Sequence, residues 1–106
     1  PYKEVFTSNR KADFALKISG DSMEPEFSDG DIILVKKQQI LNNGQIGIFI
    51  YDGEVRCKKL YKNKKRVALE SLNKKYPPLD IASNRKLDIL GLVIGTYTSE
   101  EDVVFA

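Results

Sequence analysis

The stretch Gln45-Ile46-Gly47-Ile48-Phe49-Ile50-Tyr51-Asp52-Gly53-Glu54-Val55-Arg56-Cys57-Lys58-Lys59-Leu60-Tyr61 decides how this chain folds. Two runs rich in β-branched and aromatic residues flank Asp52-Gly53, a pair that tolerates the positive φ angles of a two-residue type I′ turn. The segment predicts a β-hairpin with strands at 45–51 and 54–61. Outward from it, short apolar or alternating runs recur between turn signals at 14–18, 32–35, 67–69 and 87–98. No stretch holds a helical i, i+3, i+4, i+7 stripe for more than a few residues, although 23–27 has the length of one helical turn. The chain therefore reads as mainly β. Residues 1–12, with Thr7, Ser8, Asn9, Arg10 and Lys11, lack apolar periodicity and read as a linker or arm ahead of a domain at 13–106.

Composition removes several classes of function. With 106 residues, 42% of them hydrophobic, there is material for one core and too little length for two ordinary domains. The chain has no histidine, the commonest general base and zinc ligand, and its single cysteine, Cys57, has no partner for an internal disulfide. Neither a Ser-His-Asp triad nor a metal or other cofactor is expected. Seventeen Lys and Arg against fifteen Asp and Glu leave a formal charge of +2, too little for a surface-wide nucleic-acid field. DNA binding is thus expected only through a region outside this sequence. No apolar run approaches the roughly 20 residues that span a bilayer, and Pro1-Tyr2-Lys3-Glu4 lacks signal-peptide organisation. A cytoplasmic protein without membrane contact is expected, and the missing initiator Met suggests a fragment.

Lysine is concentrated in one place. Lys58, Lys59, Lys62, Lys64, Lys65 and Arg66 fall within nine residues around Asn63. Such a run reads first as a solvated strand end and turn, and second as a salt-sensitive contact with DNA or an acidic partner. A different chemical signal sits in Ile18-Ser19-Gly20-Asp21-Ser22-Met23-Glu24-Pro25-Glu26-Phe27-Ser28-Asp29-Gly30-Asp31, where Ser22 follows a predicted strand in a Gly-flanked turn. A turn of this kind exposes a hydroxyl beside backbone N–H groups, as an acyl-transfer nucleophile requires. Taken alone, it equally suits a turn-stabilising serine with Asp21 as a local hydrogen-bonding partner.

Four blocks in order narrow the choice: Gly20-Asp21-Ser22-Met23-Glu24-Pro25, Asp29-Gly30-Asp31-Ile32-Ile33-Leu34-Val35, Gly44-Gln45-Ile46-Gly47-Ile48-Phe49 and Asp52-Gly53-Glu54-Val55-Arg56-Cys57-Lys58-Lys59-Leu60. In sequence and spacing they resemble the LexA, phage repressor and UmuD group of serine–lysine peptidases. The likeness continues through 69–78 and 87–95, so it covers most of the chain from about Asp13. It implies a single bent-sheet domain of the β-clip type, like that of LexA and signal peptidase, with Ser22 as nucleophile and Lys58 as general base. It further implies an oxyanion hole from the backbone N–H groups of Asp21 and Ser22, with Met23 walling the substrate cleft. The chemistry is coherent, because a lysine accepts a proton near neutrality only when burial or neighbouring charge draws its pKa down from about 10.4. One local argument opposes it: on a regular strand Lys59 shares a face with Val55 and Cys57, so period-two alternation buries Lys59 rather than Lys58.

In this group the substrate is the protein's own chain, at an Ala-Gly or Cys-Gly bond well upstream of the serine. Neither dipeptide occurs here, and only 21 residues precede Ser22, so the scissile loop is expected outside this sequence. The resemblance implies the C-terminal regulatory domain of a bacterial or prophage repressor. Such a domain is a homodimer, bears an upstream helix-turn-helix domain, and cleaves itself when a RecA filament acts as inducer. A UmuD-like polymerase accessory protein and a catalytically silent dimerisation module are the alternatives. Membrane signal peptidases share the Ser-Met-x-Pro turn but carry an anchor and a larger insert, neither of which is seen here. For self-association, the run at 87–98 and the apolar Val103-Val104-Phe105 after Glu100-Glu101-Asp102 are the expected contacts.

Overall fold

A computed structural model describes residues 3–7, 11–97 and 103–105, with side chains over 11–97. Every regular element among these residues is a strand: β1 (Lys3–Thr7), β2 (Phe14–Lys17), β3 (Ile32–Lys37), β4 (Ile46–Tyr51), β5 (Glu54–Lys62), β6 (Val67–Glu70), β7 (Leu79–Asp80), β8 (Asp88–Tyr97) and β9 (Val103–Phe105). They form one curled antiparallel sheet in the order β7-β6-β5-β4-β8-β3-β2-β1-β9. The mainly β expectation holds. Within the stretch expected to be an arm, β1 lies between β2 and β9, with Glu4 opposite Leu16 and Phe6 opposite Val104. Of the residues expected to mediate self-association, Thr98 and the side chains of Val103, Val104 and Phe105 lie outside the described set.

The β4–β5 hairpin forms as its turn dictates. Asp52 and Gly53 take φ of 52° and 75°, and Tyr51 pairs with Glu54 in a register that runs unbroken to Ile46 opposite Lys59. Two irregularities, at Leu34/Val35 between β3 and β8 and at Ile48/Phe49 between β4 and β8, interrupt the ladder. Such bulges bend strands and increase their twist, which suits a sheet that curls rather than lying flat.

Besides a small cluster of Ala15, Ile32 and Leu34, the curled sheet has two larger interiors. Leu16, Ile18, Met23, Phe27, Ile33, Val35, Ile48 and Cys57 form one cluster. Leu41, Phe49, Tyr51, Leu60 and Leu69 form another. Strand β5 lies between them, burying Cys57 in the first and Leu60 in the second, with exposures of 0% and 2%. Both faces of β5 are therefore covered. Simple alternation then cannot select one lysine, and Lys58 and Lys59 are both half-buried. The period-two argument for Lys59 fails because it assumed that one face of this strand met solvent.

Candidate active site

The serine turn is built from both ends. Ile18, buried at the end of β2, donates its N–H to the Asp31 carbonyl and accepts from the Gly30 N–H. Gly20 takes φ of 91°, which a residue with a Cβ adopts only under strain, and its N–H donates to Asp29 Oδ1 at 2.7 Å. The stretch expected to offer one helical turn closes a single one, with the Phe27 N–H donating to the Met23 carbonyl at 2.9 Å. Met23 is 1% exposed and packs with Ile18, Phe27, Ile48 and Cys57. Its side chain thus anchors the Ser22 turn in the cluster that also holds Cys57 of β5.

A third segment clamps the turn from outside. Asn73 donates from its backbone N–H to the Ser22 carbonyl at 2.9 Å and from its side-chain amide to the Asp21 carbonyl at 3.0 Å. In a trans peptide the carbonyl and the following N–H point in opposite directions. With the Asp21 carbonyl turned towards Asn73, the Ser22 N–H is turned away from it. The Asp21 carboxylate accepts from Tyr76 Oη and pairs with Lys75 Nζ at 2.7 Å. The Lys75 hydrogen bond, followed by that of Tyr76, holds the Asp21 carboxyl below its ordinary range. Asp21 thus ties the turn to the 73–76 segment instead of only capping its own turn.

Lys58 enters this frame from β5. Its Nζ lies 3.0 Å from Ser22 Oγ, so the structure brings together the two residues singled out from the sequence, 36 positions apart in the chain. Burial draws the Lys58 ammonium below its ordinary value; the thiol of Cys57 opposes that shift and the Arg56 guanidinium adds to it. Cys57 itself is buried, which pushes its thiol up to about 12 and keeps it protonated at neutrality. Arg56 pairs with Glu54 at 3.1 Å, while its Nε is buried without a hydrogen-bond partner among the described residues.

Sequence reasoning missed Ser71. Its Oγ lies 2.9 Å from Lys58 Nζ, so the amine is held between two hydroxyls. The cause is register: Lys59 pairs with Glu70 and Leu60 with Leu69, so the next position places Ser71 opposite Lys58, one residue beyond β6. On the other side Lys58 faces Gly47 of β4. The available signal was the length of the β5–β6 turn, which fixes which residues oppose each other. Among the described residues no group of three or more Cys, Asp or Glu is placed to hold a metal ion.

A Peptidase S24-like family model matches residues 1–94. The chain is 46% identical over 85 residues to a LexA repressor of Carboxydothermus hydrogenoformans, covering 77% of this chain and 41% of that protein. It is 42% identical over 85 residues to a LexA repressor of Acetivibrio thermocellus, covering 79% and 39%. It is 37% identical over 95 residues to one of Thermotoga petrophila, covering 89% and 48%. The chain thus spans less than half the length of these relatives.

Proposed function

This chain belongs to the Peptidase S24-like family, and we propose that it is the self-cleavage and dimerisation portion of a LexA-like transcriptional repressor, working as a serine–lysine peptidase on its own chain. The observation that carries this reading is the 3.0 Å contact between Lys58 Nζ and Ser22 Oγ. The neutral amine takes the hydroxyl proton as Ser22 Oγ attacks the scissile carbonyl carbon. The N–H groups of Ser22 and Asp21 stabilise the oxyanion. The ammonium then returns its proton to the leaving amine, and water hydrolyses the acyl-serine. No metal or other cofactor takes part.

The scissile bond belongs to a segment upstream of this sequence, where a helix-turn-helix domain supplies DNA binding. Dimerisation raises operator affinity through effective concentration, and cleavage separates the two parts and ends repression. A RecA–nucleoprotein filament serves as the inducing partner. The test joins the chain in cis to its upstream segment and follows cleavage across a pH series. Self-cleavage without metal is expected to accelerate as Lys58 loses its proton. It should be lost in Ser22→Ala and Lys58→Ala and largely retained in Lys59→Ala. Loss in Lys59→Ala with unimpaired cleavage in Lys58→Ala would reassign the base, and a parent inert at every pH would favour a purely structural module.

A further inference from the structure

We infer that Ser71 is a positioning residue that aims the Lys58 lone pair at Ser22, an inference that rests on the dyad proposed above. A neutral amine has two N–H donors and one lone pair. It serves as base only if the lone pair, and not an N–H, faces the Ser22 hydroxyl. Ser22 Oγ lies 3.0 Å and Ser71 Oγ 2.9 Å from Nζ, both within hydrogen-bond reach. Once one N–H is committed to Ser71 Oγ, rotation about the terminal bond is restrained and the lone pair is free for Ser22. Without that acceptor the amine gains as much by donating to Ser22 Oγ as by accepting from it, and the second arrangement alone is productive.

Ser71 is suited to this task by where it stands. It is half-buried, continues the β5–β6 register opposite Lys58, and is followed by Leu72, which packs on the cluster containing Met23 and Cys57. Two residues further on, Asn73 clamps the carbonyls of Asp21 and Ser22. One short segment, 71–73, therefore holds both members of the dyad and couples the direction of the base to the placement of the nucleophile. Across the sheet Gly47 faces Lys58 with no side chain, leaving Ser71 as the polar cross-strand neighbour of the amine.

The charged and titratable groups around Lys58 fix the signature. Arg56 and Cys57 precede it and Lys59 follows it on β5; Glu70 of β6, next to Ser71, stands opposite Lys59; Asp21 stands in the serine turn, paired with Lys75 and Tyr76 of the 73–76 segment; Gly47 of β4 contributes no charge. None of these is removed by Ser71→Ala. The Ser71 oxygen accepts from the amine in both states, and more strongly from the ammonium because that bond is charge-assisted. Its loss therefore shifts the Lys58 titration to lower pH while lowering the rate reached once the amine is neutral. General loosening that admitted water would return the lysine towards its ordinary value and shift the titration the other way.

The experiment uses the 106-residue chain and an alkyl fluorophosphonate, with labelling followed by intact mass. In this reaction the bond from Ser22 Oγ to phosphorus forms, the P–F bond breaks, fluoride leaves and Lys58 takes the proton. Labelling rates across a pH series are compared for the parent, Ser71→Ala and Ser71→Thr. The expected result for Ser71→Ala is a high-pH plateau lower by roughly 10- to 100-fold, as for other supports that orient a reacting group, with the inflection moved to lower pH. Ser71→Thr, which keeps the hydroxyl, restores both. An unchanged Ser71→Ala profile in a parent that labels overturns this inference alone. So does a slowed Ser71→Ala whose inflection stays put or rises, or whose rate Thr does not restore. A parent that does not label at any pH withdraws the dyad reading, and this inference with it.

Discussion

Lys58 and the basic tip at 62–66 belong to one run of cations, yet the fold treats them in opposite ways. Lys58 is half-buried between two hydroxyls, with its ammonium destabilised by burial. Lys62, Lys64, Lys65 and Arg66 are exposed. Arg66 holds Asp80 at 2.6 Å and lies over the Tyr61 ring, and the turn itself is shaped by Asn63 Oδ1 accepting from the N–H groups of Lys65 and Arg66. The same residue type is thus held against two hydroxyls in the middle of β5 and left as a solvated surface at its end. What separates the two uses is the covering of the strand, since β5 is enclosed on both faces at Cys57 and Leu60 and on neither at its tip.

The contrast is broken most sharply at the proposed nucleophile and base. Ser22→Ala or Lys58→Ala is expected to lower self-cleavage of the extended chain by roughly 1,000-fold or more, because members of such a unit fail together. The double variant should be little worse than either single one, as gel kinetics would show. Next in size is the position opposite Lys58. A Cβ at Gly47 overlaps Leu41 Cδ1 and comes within 2.7 Å of the Gly91 carbonyl oxygen, so Gly47→Ala must shift a core side chain and a backbone. It should cost about 2–3 kcal/mol in chemical denaturation, in the range of overpacked cores. The same substitution disturbs the support beneath Lys58, so cleavage should suffer beyond the loss of folded protein.

Two smaller effects sharpen the comparison. Lys58→Met keeps most of the length of the side chain and removes an amine that burial disfavours in its charged form, so about 1 kcal/mol of stabilisation is expected at neutral pH. The folded-state pKa lies below the unfolded value, so the unfolded chain binds more protons between the two and the parent gains stability as pH rises through that window. The advantage of Lys58→Met is therefore largest below the folded pKa and shrinks at alkaline pH; thermal unfolding at several pH values would read it. A constant advantage would mean that Lys58 is not the titrating group. At the tip, Lys64→Gln with Lys65→Gln should change stability by no more than about 0.5 kcal/mol, as at other exposed positions, and leave the pH profile of cleavage unaltered. A large effect there would promote the tip from solvated turn to working surface.

Much of this was legible from local signals. Asp52-Gly53 fixed the central hairpin, and alternating runs marked β2, β3, β6 and β8 to within a few residues, because period and turn chemistry act over short distances. β7 is two residues long and follows Pro77-Pro78, so no periodicity announced it; its pairing with Ala68 and Leu69 is set by the tertiary fold. Ser22 and Lys58 were chosen through family likeness, and strand parity argued against the lysine. That argument failed because the curl of the sheet, which covers β5 twice, is not written in β5 itself. Ser71 was illegible for a related reason: its place opposite Lys58 follows from a register counted through the Asn63 turn.

The shape of the sheet's margin also bears on how this domain meets other chains. At one end the outermost strand offers only Leu79 and Asp80, and the residues before it, Pro77 and Pro78, carry no N–H to donate. An extended segment arriving there finds too few free backbone groups to zip onto, so β-augmentation, and the runaway stacking that leads to fibrils, are disfavoured at that edge. Under the proposed self-cleavage, a loose strand of the same chain must approach this surface, and such an edge would turn it away from the ladder and leave it to find the cleft.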